Sequence, residues 1–79
     1  MSTFDQVKDL TWEYAGKHIK SKDDITMEAN LVFDLGLDSL DKIGLCNDCE
    51  DHFGGQITDE DAAELNTVGD IVRYVDNRK

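Results

Sequence analysis

Few side chains in this sequence are placed to do chemistry, and the first is a single hydroxyl. Ser39 stands in the run Asp34-Leu35-Gly36-Leu37-Asp38-Ser39-Leu40-Asp41, at the expected first turn of a helix. Unsatisfied N–H groups and the macrodipole make a helix N-terminus favourable for anions, so a serine there is well placed to carry a phosphate ester. That pattern describes a chain that an enzyme modifies, not an enzyme.

The second group is Cys46-x-x-Cys49-x-x-His52. These are residue types that zinc favours, but the spacing runs along one helix, and a fourth ligand would have to come from distant His18. Both cysteines also fall on an apolar stripe, so they are read as buried thiols, with no metal and no redox role. Glu50 rather than a histidine follows Cys49, which rules out the haem-attachment spacing. The carboxylates form no twelve-residue calcium loop with its central Gly and final Glu.

Composition narrows the partners. The chain has 79 residues and a formal net charge of −10, from 18 Asp+Glu against 8 Lys+Arg. That is one domain with one small core. Nucleic acid and anionic membranes are repelled, whereas basic proteins are steered toward it. Disorder is the alternative for so acidic a chain, but 39% hydrophobic content in periodic placement argues for a core. Two cysteines make no disulfide framework and point to a reducing, cytoplasmic setting. The N-terminus lacks a secretion signal and no apolar run approaches membrane-spanning length. The chain reads as a complete, soluble, monomeric protein.

The elements that must position Ser39 are helical. Thr3 with Gln6 fits a capping box, Phe4, Val7, Leu10 and Tyr14 recur at helical spacing, and Gly16 fits a stop. Trp12 falls off that stripe. Residues 17–38 show no sustained period, with Ile19, Ile25, Leu31, Val32, Leu35 and Leu37 as anchors and Gly36 turning the chain. A second helix spans 39–53, with Asp38 as N-cap, Asp41 at its third position and Gly54-Gly55 ending it. Thr58 and Asp61 open a short helix. Thr67 and Asp70 open a last one carrying Val68, Ile71, Val72 and Val75, with Arg73, Arg78 and Lys79 toward its end. Without strand alternation or repeats, the expected fold is all-α: three main helices and one short one, with a long loop between the first two.

On the second helix, Leu45, Cys46, Cys49 and Phe53 form the core stripe. Leu40 and Ile43 lie off it, among Asp41, Asp48, Glu50 and Asp51. Such a face suits docking of basic partners, with Leu40 and Ile43 as apolar anchors; a merely solvated face is the alternative.

The run Asp34–Asp41, with Ile57-Thr58-Asp59-Glu60-Asp61-Ala62 and Thr67-Val68-Gly69-Asp70-Ile71, resembles the acyl carrier proteins over nearly the whole of residues 1–79. The resemblance implies a 4′-phosphopantetheine arm, donated by coenzyme A and placed on Ser39 by a phosphopantetheinyl transferase. Acyl groups would ride on it as thioesters and be delivered to acyl-processing synthases and transferases of fatty acid, lipid or polyketide synthesis. It implies no catalytic residues, a docking surface of Asp38, Leu40, Asp41, Ile43 and Asp48, arm guidance by Leu37 and Leu40, and an acyl pocket including Cys46, Cys49 and Val68. The chain departs from the family pattern at Phe33, Lys42, Gly44, Cys46, Asn47 and Cys49, which leaves a specialised pathway open. A peptidyl or aminoacyl carrier shares the serine. An unmodified acidic adaptor would keep its binding after Ser39→Ala, whereas a carrier would lose its function.

Overall fold

Local capping determines where each helix begins. The computed structural model describes residues 2–77, with helices α1 (Thr3–Ala15), α2 (Ser39–Phe53), α3 (Asp59–Glu64) and α4 (Val68–Asn77). No strand forms among these residues; an isolated antiparallel bridge joins Asn30 and Thr67. The all-α expectation of three longer helices and one short one is met.

The cap of α1 is Ser2 rather than Thr3. The Ser2 hydroxyl accepts the Asp5 N–H at 3.1 Å, and Gln6 donates to the Ser2 carbonyl at 3.3 Å instead of completing a capping box. Thr3 is drawn elsewhere: its hydroxyl donates to the Asp76 carboxylate at 2.6 Å, joining the start of α1 to the end of α4. The deeply buried stripe of α1 is Thr3, Val7, Thr11 and Ala15, with Phe4, Leu10, Trp12 and Tyr14 packed at its margin. Thr11 is tolerated inside because its hydroxyl donates to the Val7 carbonyl at 2.7 Å. Gly16 keeps right-handed helical angles, so it ends the helix without a left-handed turn.

The segment between α1 and α2 is anchored along its length. A 3₁₀ turn at Lys22–Asp24, missed by periodicity because it is so short, is held by an ion pair from Lys22 to Asp9 of α1. Ile25, Ala29, Leu31, Leu35 and Leu37 are buried. Val32, expected among the anchors, is instead exposed. Three hydrogen bonds then zip the segment to the start of α4: Leu31 N–H to Asn66 C=O (2.9 Å), Val68 N–H to Ala29 C=O (3.1 Å) and Gly69 N–H to Met27 C=O (2.8 Å). The last two satisfy N–H groups that α4 cannot satisfy internally.

α1 packs on both α2 and α4. The shared core joins Val7 and Ala15 to Leu45, Cys46 and Cys49 of α2, and to Val68, Ile71, Val72 and Val75 of α4. Arg73 does not serve the C-terminal dipole of α4. Its guanidinium donates at 2.8 Å to Asp70, one turn back. Arg78 and Lys79 lie outside the described residues.

Candidate functional site

Ser39 is the first residue of α2, and its position is set by two turns. Upstream, the Asn30 side chain accepts the N–H groups of Val32 and Phe33, each at 2.9 Å. Its own N–H donates to the Asp34 carboxylate at 2.7 Å. A bond from Leu37 N–H to Leu31 C=O (3.0 Å) closes this turn. Gly36 follows with φ of +76°, and a Cβ there would stand 2.9 Å from the His18 ring, so both backbone and space call for glycine.

The second turn is the cap itself. The Asp38 carboxylate accepts the Asp41 N–H at 2.8 Å, and Asp41 accepts the Asp38 N–H at 3.4 Å. This reciprocal box engages two of the four N–H groups that the helix leaves unsatisfied, leaving those of Ser39 and Leu40. The Ser39 side chain is exposed, with no hydrogen-bond partner among the described residues. A phosphate ester on Ser39 Oγ would therefore meet open solvent and the positive end of a helix dipole.

The other singled-out residues fall into three places. Leu40 and Ile43 are exposed, at 78% and 52%, and one turn apart they share a face. Asp38 is exposed beside them. Asp41 and Asp48 are partly covered: Lys17 stands 3.6 Å from Asp41, and the Tyr14 hydroxyl donates to Asp48 at 2.6 Å. That bond holds the Tyr14 proton, pushing its pKa up to about 12. Leu37 is buried, so of the two leucines flanking Ser39 only Leu40 is placed to meet an arm.

Cys46 and Cys49 face the core as free thiols. Burial pushes both thiol pKa values up, that of Cys49 to about 12. His52 does not join them; its ring stands 2.7 Å from the Gln6 side chain. Among the described residues no three His, Cys, Asp or Glu side chains converge as for a metal.

A cavity of about 200 Å³ opens at the far end of α2, lined by Cys49, Phe53, Ile57, Tyr74 and Val75 among others. Of the three residues expected to line an acyl pocket, only Cys49 reaches it; Cys46 and Val68 are buried in the core. Gly54 and Gly55, without side chains, leave this space open beside the apolar Ile57. Two clasps bound the cavity: Ile57 N–H donates to Glu50 at 2.7 Å, and the Tyr74 hydroxyl donates to Asp61 at 2.8 Å.

A family model described as "Phosphopantetheine attachment site" matches residues 17–75, which takes in both turns, Ser39 and the cavity. The chain belongs to the acyl carrier family. Its fold is similar to that of a solved acyl carrier protein from Enterococcus faecalis, with a TM-score of 0.77, 28% identity and 100% of each chain covered. The group this family attaches is 4′-phosphopantetheine, and its members are carriers, not enzymes. As a carrier, the chain interacts in general terms with a phosphopantetheinyl transferase and with acyl-processing enzymes. No described helix is long and apolar enough to cross a membrane.

Proposed function

We propose that Ser39 is the attachment residue, and that the carrier serves fatty acid synthesis or a related lipid or polyketide pathway. The observation that carries the assignment of Ser39 is its exposed hydroxyl at the first position of α2, without a hydrogen-bond partner among the described residues and inside the family match. The arm supplies a terminal thiol on which acyl groups are held as thioesters. The residues of the chain do the rest. Asp38 and Asp41 fix the first turn so that Ser39 Oγ is presented, and the helix N-terminus receives the phosphodiester.

Asp38, Leu40 and Ile43 form the exposed part of the proposed docking surface. Asp41 and Asp48, tied to Lys17 and Tyr14, contribute to the negative field rather than to direct contact. The cavity beside Cys49 is the proposed acyl site. It lies about 15 Å along α2 from Ser39 at 1.5 Å per residue. Burial there contributes roughly 0.8 kcal/mol per CH₂. The two buried free thiols suit a monomer working in the reducing cytoplasm.

The test is intact-protein mass after incubation with coenzyme A and a broad-specificity phosphopantetheinyl transferase. The wild-type chain gains one 4′-phosphopantetheine and Ser39→Ala gains none. A folded wild-type chain that gains no mass overturns the assignment.

A further inference from the structure

Phe33 is 88% exposed, more than the other large apolar side chains that lie open, and Val32 beside it is 47% exposed. This exposure is built in. Asn30 holds both backbone N–H groups, while Leu31, Leu35 and Leu37 are sunk in the core on either side. The turn thus has no freedom to fold the ring inward. A rigid backbone presenting a solvated aromatic ring is the arrangement of an interface anchor, because little ordering cost remains when the ring is covered.

Its place in the chain says who covers it. The bond from Leu37 N–H to Leu31 C=O ties the two halves of the turn. Phe33 lies inside the turn that this bond closes, two residues after Leu31, and Ser39 follows the turn, two residues after Leu37. On the far side of Ser39 come Leu40 and Ile43. An enzyme acting at the distant thiol of the arm can dock anywhere the arm reaches. The enzyme that forms a bond to Ser39 Oγ must bring its active site to the serine itself, so its footprint includes this turn. Exposed Asp34 and Asp38 flank the site, and the chain carries a net charge of −10. That charge disfavours a second copy or an anionic bilayer and favours a basic rim on the partner.

We propose that Phe33 is a specificity anchor for the phosphopantetheinyl transferase, seated in an apolar pocket with a basic rim. The inference rests on the assignment of Ser39 above.

The test is steady-state transfer from saturating coenzyme A by the transferase encoded in the same genome, with the unmodified carrier as varied substrate. Phe33→Ser is expected to raise KM for the carrier about tenfold or more and to leave kcat within about twofold, as for lost uniform binding. Phe33→Leu restores most of the loss. Melting temperature and far-ultraviolet circular dichroism match wild type in both variants. An unchanged KM, or a loss confined to kcat, overturns the proposal. So does a wild-type dimer in sedimentation that Phe33→Ser dissolves, because the ring is then covered by a second copy. A wild-type chain that is never modified overturns the Ser39 assignment and this proposal with it; a normally modified wild type with an indifferent Phe33→Ser overturns this proposal alone.

Discussion

Three residues make the carrier sensitive to alkali. Tyr14 donates to Asp48 and loses its proton only near pH 12, against 10.0 for an ordinary tyrosine. Burial raises Cys49 from 9.0 to about 12 and shifts Cys46 the same way. In each case the folded chain holds a proton that the unfolded chain has already released. The stabilisation is complete below pH 9 and is lost progressively as pH rises to about 12. Melting temperature measured from pH 8 upward should fall beyond about pH 9, and Tyr14→Phe should flatten the decline above pH 10; a level profile would contradict this. Asp70 acts at the opposite end. The Asn66 N–H, with help from the Thr67 N–H and Arg73, holds its carboxyl below the usual 3.8. Its contribution is present at neutral pH and lost as the solution is acidified through that lowered value. The caps at Asp38, Thr58 and Thr67 were legible because a cap is a local pattern of three or four residues. The choice of Ser2 over Thr3 was not, because Thr3 is claimed by Asp76 at the other end of the chain.

At the scale of elements, the approach of α1 to α2 is governed by Gly44. A Cβ at that position would stand 2.9 Å from the Tyr14 hydroxyl oxygen and 3.0 Å from its ring. Tyr14 lies across this bare spot and reaches Asp48 one turn on. Gly44 costs α2 about 1 kcal/mol of helix propensity relative to Ala, and the space it leaves admits the phenol. Gly44→Ala should therefore lower stability by about 1 kcal/mol despite the better helix former, since it displaces a charge-assisted hydrogen bond. In a Tyr14→Ala background the same substitution should raise stability. Urea unfolding of the four chains of this cycle measures the coupling, and additive effects would refute it. The ends of α2 were readable from Asp38 and Gly54, and its buried stripe from residue spacing. The reason for Gly44 was not, because it lies on the neighbouring helix, thirty residues earlier. Arg73, read as a partner of the helix C-terminus, is taken by Asp70, one turn away.

For the molecule as a whole, the long segment before α2 behaves as part of the core rather than as a tether. Its apolar anchors were legible apart from Val32; its hydrogen bonds to the start of α4 were not, because backbone pairing between distant segments leaves no mark on residue type. The cavity between α2, residues 54–57 and α4 is likewise a property of the assembly. Cys49→Leu adds bulk at its lining, so loading and protection should shift toward shorter acyl chains. Protection of the thioester from hydroxylamine, compared across chain lengths, reads this out, and an unchanged length preference would remove Cys49 from the acyl site.

The two core cysteines carry a last consequence for what such a chain can safely transport. A thioester is open to attack by any neighbouring thiolate, so a carrier with its own cysteines risks stranding its cargo by internal exchange. Burial holds both thiols in the protonated form, pushing the pKa of Cys49 up to about 12 and that of Cys46 the same way, so little of the attacking thiolate is present at neutral pH. The same burial that packs the helices together thus keeps the molecule chemically inert toward the bond it exists to carry.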